Sequence, residues 1–161
     1  MCIKIIECTD LQPYLSDILK IEKLAFTYDA WSKNTFENLA NSDSMHIIIA
    51  INSQNKLIGY LIYQETLDFF HIQNLAVAEC FRGQGVARGL LEKLYGTNLE
   101  GKDPSFSATN LEEKIPIFLE VAVNNLPAIK LYESAGFEIL EKKKKYYNPP
   151  GIDALVMRKN F

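Results

Sequence analysis

The segment that decides the fold is NLAVAECFRGQGVARGLLEKL, residues 74–94. It begins as an apolar, strand-like run, continues through two glycines and an arginine, and becomes a helical pattern with no intervening linker. Glycine lets the backbone N–H groups of such a turn face outward, and the first N–H groups of a helix lack partners within the helix. The strand–turn–helix unit therefore predicts an anion site, for which a pyrophosphate is a suitable ligand.

The residues of this candidate anion site are Arg82, Gly83, Gln84, Gly85, Val86 and Ala87. The guanidinium of Arg82 offers charge-assisted hydrogen bonds beside the unpaired N–H groups. An ordinary strand-to-helix turn has a similar composition, so the motif alone leaves both interpretations open. The spacing is not the usual dinucleotide-binding G-x-G-x-x-G, and it is not a P-loop because no Gly-Lys-Ser/Thr follows.

Length, charge and cysteine usage narrow the functional classes. The 161 residues fit one domain spanning 1–161, and 48% hydrophobic residues are enough for a substantial core. A formal net charge of −3 and a pI near 5.4 argue against nucleic acid as a partner. Cys2, Cys8 and Cys80 form no C-x-x-C pair, which favours reduced thiols over disulfides or a metal site. The longest apolar run, IIIAI at 47–51, is too short for a bilayer, so we expect a soluble, cytoplasmic protein without membrane association.

Hydrophobic periodicity predicts an α/β or α+β sheet with helices on its faces. Strands are expected at 3–8, 45–52, 57–66, 68–78, 115–123, 137–147 and 153–161. Helices are expected at 10–26, 32–40, 125–136 and from the glycine motif to residues 94–98. In the first helix we expect Leu15, Ile18, Leu19 and Leu24 on one side, and the polar segment 99–114 is predicted to be a long loop.

A second candidate site lies in the apolar strand at 115–123 and in the helix that follows it. Glu120 stands among apolar residues, where desolvation is expected to raise its pKa toward neutral, as in a general base. A structural carboxylate paired with a lysine or arginine is an equal alternative. Tyr132 on the helix is either a core residue or a phenol directed at a reaction centre. Asn125 begins the helix as a cap, a role that is compatible with a ligand contact.

Together these segments resemble the GCN5-related N-acetyltransferase (GNAT) family. Residues 82–87 fit its acetyl-CoA motif Q/R-x-x-G-x-G/A, and NLAV at 74–77 is similar to its pantetheine-binding strand. NLPAIKLYESAGF at 125–137 fits the family segment N-x-x-A-x-x-L-Y-x-x-x-G-F. The resemblance implies the fold of the family, a mixed, mostly antiparallel central sheet of six to seven strands with helices on both faces.

The resemblance also implies which residues bind acetyl-CoA, the expected cosubstrate. The backbone of Leu75, Ala76 and Val77 would pair with the pantetheine amides. The residues at 82–87 would hold the pyrophosphate, and Asn125 would add a further contact. No metal is implied.

Within the family, the chain most resembles members that acetylate the N-terminal amine of ribosomal proteins. The similar segments are AFTYDAWS at 25–32, FLEVAVNNLPAIKLYESAGF at 118–137 and YYNPPGIDALVMRK at 146–159. The resemblance implies direct acetyl transfer from acetyl-CoA to the N-terminal peptide of a protein, with ribosomal proteins as candidate substrates. Glu120 would then be the base and Tyr132 the acid.

Departures from the family pattern leave the acceptor open. Ala122 and Val123 follow the L-E-V segment, and Ala30 precedes the tryptophan in place of proline. All three lie on the acceptor side and leave the acetyl-CoA motif intact. A small-molecule amine or lysine acetyltransferase of the same fold is therefore an alternative, and so is a non-catalytic acyl-CoA-binding module.

Four further features have weaker claims to function. Cys80 is disfavoured as an acetyl carrier because nothing near it in sequence lowers the pKa of its thiol. His71 is favoured as a structural strand residue over a base, and Lys142–Lys145 as a solvated strand end over a CoA- or RNA-binding patch. Trp31 is equally suited to anchor the core or to line the peptide entrance.

Overall fold

A computed structural model describes residues 3–26, 29–39, 42–100 and 115–161. The strands are β1 (Ile3–Glu7), β2 (Met45–Asn52), β3 (Leu57–Glu65), β4 (Phe70–Val77), β5 (Ile117–Ala122), β6 (Glu138–Tyr147) and β7 (Ile152–Lys159). The helices are α1 (Leu15–Ala25), α2 (Lys33–Leu39), α3 (Val86–Glu100) and α4 (Leu126–Ser134). Short 3-10 turns precede α1 and α3. Of the predicted loop at 99–114, residues 99 and 100 belong to α3, and 101–114 lie outside the described residues.

All seven strands form one sheet in the order β1-β2-β3-β4-β5-β7-β6. The β4–β5 pair is parallel, and the other five neighbouring pairs are antiparallel. This arrangement confirms the predicted mixed, mostly antiparallel sheet. No helix of the described part of the chain combines the length and the apolar character needed to cross a membrane.

Both faces of the central strands are buried, and β2 illustrates why. Ile48 and Ala50 point into one core with α3 and α4, while Ile47 and Ile49 point into a second core with α1 and α2. Successive side chains of a strand face opposite sides of the sheet, so a strand covered by helices on both faces is apolar at nearly every position. The prediction of helices on both faces is therefore confirmed.

Helix α1 packs against the sheet along a stripe that differs from the expected one. Leu15, Ile18, Ile21 and Glu22 are buried, whereas Leu24 is 74% exposed. Nine residues at about 100° of rotation each place Leu24 half a turn away from Leu15, so the two cannot share a face. The same geometry places a carboxylate, that of Glu22, in the middle of the buried stripe.

The helices around the functional motifs have defined ends. The hydroxyl of Ser32 accepts the N–H of Thr35 at the start of α2, and Asn125 Oδ1 accepts the N–H of Ala128 at the start of α4. Gly136, with φ of +88°, ends α4 in the left-handed region that favours glycine. In α4, the Asn125 cap defines where the helix begins after β5, and Gly136 defines where it ends.

Candidate active site

The centre of the candidate site is a cleft that opens where β4 and β5 separate. The two strands pair from Phe70–Ile117 to Ile72–Leu119 only, although β4 continues to Val77 and β5 to Ala122. Beyond the last pair a cavity of about 350 Å³ lies between them. The segments that line it are Ala25–Phe26, Asp29, Trp31, Ile72–Leu75, Leu119–Ala122, Asn125, Ala128, Leu131–Tyr132 and Tyr146–Tyr147.

A β-bulge at Gln73 adapts β4 to this cleft. Ile62 of β3 pairs with Asn74 and Tyr63 pairs with Ile72, so Gln73 is the extra residue. A bulge reverses which residues face each side of the sheet. Ile72 consequently joins the core with α3 and α4, whereas Asn74 turns toward α1. Among the described residues no strand pairs with the cleft-side edge of β4 after Ile72.

The three residues predicted to contact pantetheine lie on this free part of β4. Leu75 lines the cleft, whereas the side chains of Ala76 and Val77 pack into the two cores. Their predicted role is a backbone contact, which side-chain burial does not prevent. The carbonyl of Val77 already accepts a hydrogen bond of 3.0 Å from Arg82 Nε, so this arginine ties the end of β4 to the glycine turn.

The glycine turn presents a row of unpaired N–H groups. Gly83 and Gly85 have φ values of +71° and +81°, which a side chain would strain, and a Cβ at either would meet no atom within 4 Å. Gly89 is the first residue of α3 whose backbone N–H donates to a backbone carbonyl, that of Gly85 at 2.9 Å. In the described part of the chain, the N–H groups from residue 83 to residue 88 have no backbone acceptor. This arrangement can hold an anion at the positive end of α3.

Glu120 projects from β5 on the face opposite to α4. Its neighbours Leu119 and Val121 belong to the core that contains Tyr132 of α4, so the carboxylate points to the other side of the sheet. Its Oε2 lies 2.6 Å from His71 Nε2, and its Oε1 accepts a hydrogen bond of 2.8 Å from Lys143 Nζ. Both carboxylate oxygens are therefore bonded to nitrogen groups.

A series of side-chain contacts fixes the orientation of His71. Gln73 Nε2 lies 3.0 Å from His71 Nδ1 and donates to Gln64 Oε1 at 3.4 Å. An amide nitrogen only donates, so His71 Nδ1 is the acceptor and Nε2–H donates to Glu120. The favoured interpretation of His71 as a purely structural strand residue therefore misses its contact with the candidate base.

The expected pKa of Glu120 is wrong in direction. The hydrogen bond from His71, together with that from Lys143, lowers the pKa of Glu120 to about 2, although burial acts in the opposite sense. The apolar neighbours in the strand indicated desolvation correctly. The apolar neighbours could not show that a histidine from β4 and a lysine from β6 would contact the carboxylate. The contact with lysine is the pairing that the alternative interpretation, a structural carboxylate, described.

Tyr132 and Asn125 approach the cleft from α4. Tyr132 is buried, packs edge-to-face against Phe137 with ring centroids 5.6 Å apart, and lines the cleft. Burial raises the pKa of Tyr132, so its hydroxyl stays protonated and can donate a hydrogen bond. Asn125 both caps α4 and lines the cleft. The cleft thus joins Glu120 from one face of the sheet with Tyr132 from the other.

Sequence reasoning missed a buried carboxylate behind the cleft. Glu22 is 1% exposed and accepts hydrogen bonds from the Tyr60 hydroxyl, from the Trp31 backbone N–H at 2.7 Å and from Asn74 Nδ2 at 3.2 Å. Burial raises the pKa of Glu22 despite these donors. The signal was present, because Glu22 follows Ile18 by four residues on the buried stripe of α1.

Glu22 joins the sheet to the segment before α2, which forms one wall of the cleft. Trp31 lines this wall and its ring packs against Phe36, with centroids 5.7 Å apart. Both suggested roles of Trp31, core anchor and cleft lining, are therefore compatible with its position. Tyr146 and Tyr147, at the end of β6, also line the cleft, and no sequence motif singled them out as site residues.

The remaining sequence candidates lie outside the cleft. Cys80 is exposed and its carbonyl accepts a hydrogen bond from Gln84. Lys142 pairs with Asp153 at 3.0 Å, and of the lysine run only Lys143 is described in contact with a cleft residue. No three His, Cys, Asp or Glu side chains come together as metal ligands within the described ranges.

Comparison with known proteins identifies the family. A sequence model of the acetyltransferase (GNAT) family matches residues 15–137. The chain belongs to this family. The chain is 33% identical over 120 residues to the ribosomal protein bS18-alanine N-acetyltransferase of Haemophilus ducreyi, and the match covers 74% of each chain.

Two further relatives extend the match over most of the chain. The protein of the same name from Salmonella typhimurium is 30% identical over 145 residues, covering 90% of this chain and 86% of that one. The crystal structure of the ribosomal-protein-S18-alanine N-acetyltransferase from Escherichia coli superimposes with a TM-score of 0.79 at 25% identity, covering 99% and 94% of the two chains. This GNAT protein is therefore an N-acetyltransferase.

Because Glu120 is paired, its substitution should change how the stability of the fold depends on pH. A carboxyl whose pKa falls from 4.5 to about 2 on folding stabilises the fold above pH 4.5, and this contribution is lost as pH falls toward 2. Glu120→Gln should therefore lower the free energy of unfolding at pH 7 by about 1–3 kcal/mol and by much less near pH 2. Denaturant titrations at several pH values measure this difference.

The exposed carboxylate of Glu138, on β6, provides the control, since Glu138→Gln makes the same chemical change. A Glu120→Gln variant whose stability follows that of Glu138→Gln at every pH would contradict the assigned pairing.

Proposed function

We propose that the protein transfers the acetyl group of acetyl-CoA to the N-terminal α-amine of a protein, with ribosomal proteins as the leading substrate class. The observation that carries this proposal is a cleft lined by Glu120, Tyr132 and the free edge of β4, the strand that leads directly to the unpaired N–H groups at the start of α3. The names of the relatives, which act on an alanine of ribosomal protein bS18, support the choice of acceptor.

The chain has suitable groups for each part of acetyl-CoA. The backbone edge of Leu75–Val77 can pair with an extended ligand as an added strand would. The N–H groups of residues 83–88 can bind the diphosphate, and Asn125 lies at the mouth of the same cleft. In the described part of the chain, the buried Asn74 Oδ1 also has no hydrogen-bond partner, so a polar acceptor is available beside the strand. These unpaired groups fit the coenzyme.

The residues around the cleft suit direct transfer. Acetyl-CoA supplies a thioester, whose acyl carbon is attacked by an amine and whose thiol departs. Tyr132 donates its O–H hydrogen bond to the departing sulfur, because the raised pKa keeps the phenol protonated. Glu120 takes the proton of the acceptor, directly or through one water. The two groups approach the cleft from opposite faces of the sheet, so one can serve the attacking amine and the other the departing sulfur.

An α-amine suits this site better than a lysine side chain. Its pKa is about 7.7–8, against about 10.4 for lysine, so far less basicity is needed to obtain the neutral nucleophile. The wall of the cleft combines aromatic and acidic groups that fit the first residues of a peptide carrying a cationic amine. These groups are Phe26, Asp29, Trp31, Tyr146 and Tyr147.

A panel of acceptors tests the proposal. Release of free CoA is measured with an alanine-starting peptide, with the same peptide blocked at its N-terminus, and with polyamines. We expect turnover with the free α-amine and none with the blocked peptide. Preferential acetylation of polyamines would instead assign a small-molecule acetyltransferase. Tight acetyl-CoA binding without turnover of any amine would favour the acyl-CoA-binding module.

Substitution of the two proposed chemical groups should slow turnover. Glu120→Gln and Tyr132→Phe should each lower kcat by about 10²-fold or more, the usual contribution of a positioned acid or base. The dissociation constant of acetyl-CoA should be nearly unchanged, because Glu120 is not assigned to the coenzyme and the hydrogen bond from Tyr132 to the sulfur strengthens only as the thiol departs. Glu138→Gln serves as the control, and a kcat within about twofold of the unsubstituted enzyme would remove the substituted residue from the mechanism.

The glycine turn can be tested against a matched glycine. Gly85 and Gly151 have φ values of +81° and +87°, and at both positions the space that a Cβ would occupy is open, so alanine strains the two positions alike. Gly151 lies in the β6–β7 turn, away from the N-terminus of α3. We expect Gly85→Ala to weaken acetyl-CoA binding about tenfold and Gly151→Ala to leave it unchanged, as measured by calorimetry. Equal affinities would contradict the diphosphate assignment.

A further inference from the structure

Glu120 has no carboxylate oxygen without a nitrogen partner. Oε1 accepts from Lys143 Nζ and Oε2 from His71 Nε2. An acceptor amine that approaches this carboxylate as an ammonium presents a cation with hydrogen-bond donors, the same chemical group as Lys143 Nζ. The free enzyme therefore already carries an ammonium where the proposed base would receive one.

The two partners of Glu120 are held to different degrees. His71 is 24% exposed and is fixed on its other side by Gln73, which in turn bonds to Gln64. Lys143 is 41% exposed and extends from β6, the strand at the edge of the sheet. The long, flexible stem of a lysine moves more readily than a ring bonded on two sides. Lys143 is therefore the partner that can be displaced.

Among the groups around Glu120, Lys143 is the cation next to the cleft residues that are proposed to contact the acceptor peptide. His71 approaches from β4, and Tyr132 approaches from α4. Lys143, Glu141, Tyr146 and Tyr147 belong to β6, and Asp29 lies in the segment between α1 and α2. Lys143 Nζ also lies 5.4 Å from the ring centroid of Tyr146, a residue of the cleft wall. Lys143 thus lies beside both the carboxylate and the aromatic surface proposed for the acceptor.

We propose that Lys143 is a positioning residue that occupies the place of the acceptor ammonium on Glu120 Oε1 and is displaced when the acceptor binds. This inference rests on the proposed function. The exchange replaces one ammonium by another, so the carboxylate is not left unpaired during binding. It also links binding of the acceptor to departure of the lysine, because the acceptor ammonium takes the place of Lys143 Nζ on Oε1.

Lys143→Met tests the proposal, since methionine keeps the unbranched stem and removes the ammonium. We expect the KM for the acceptor peptide to fall about two- to fivefold, the scale of a partly exposed ion pair. The KM for acetyl-CoA should be unchanged, and kcat should not fall. Lys144→Met is the matched control, because the neighbouring lysine is not described in contact with Glu120 and its loss should alter none of these constants.

Lys143→Arg should change the KM for the acceptor in the opposite direction. A guanidinium can engage a carboxylate with two donors, so this variant should compete better and raise the KM for the acceptor. An unchanged or higher KM in Lys143→Met would overturn the proposal, as would a collapse of kcat, which would show that the lysine assists the reaction. Failure of the proposed function is distinguishable, because the unsubstituted enzyme would then not acetylate the α-amine peptide at all.

Discussion

The short parallel pairing of β4 with β5 is the constraint on which the site depends. The two strands share only three residue pairs before they separate, and the free edge of β4 beyond Ile72 keeps its polar backbone groups within the cleft. Such groups require partners from water or a ligand, and an extended molecule can supply them as a strand would. The bulge at Gln73 and the glycine turn after β4 continue the same path to the N-terminus of α3. The proposed coenzyme site is thus a consequence of incomplete strand pairing rather than of a dedicated loop.

The pKa values of two carboxylates near this opening are shifted in opposite directions. Glu22 is surrounded by neutral donors, and burial raises its pKa, whereas His71 and Lys143 lower the pKa of Glu120. Glu22 joins α1, β3, β4 and the segment before α2, so it fixes the wall that carries Trp31. Glu120 lines the cleft, where Lys143 is the partner that we propose is displaced. Different partners thus distinguish the buried carboxylate of Glu22 from that of Glu120, the one proposed to react.

The order of elements and the local structure of the proposed coenzyme side could be predicted from the sequence, because these depend on local patterns. The glycine turn, the cap at Asn125 and the strand containing Glu120 all follow from contiguous residues. The partners of Glu120 could not be predicted in this way, since His71 and Lys143 reach it from different strands, 49 and 23 residues away. The expected position of Leu24 was wrong for a simpler reason, because helical rotation places it opposite to Leu15. The role of Glu22 was visible in the buried stripe of α1 but was not recognised as a site feature.

A crystal structure of the protein with CoA tests the central claim most directly. The account predicts diphosphate oxygens within about 2.7–3.2 Å of backbone nitrogens between residues 83 and 88, and pantetheine amides paired with the edge of β4 beyond Ile72. It also predicts that β4 and β5 remain apart. A structure in which the diphosphate lies away from the start of α3, or in which the pantetheine does not pair with β4, would contradict it.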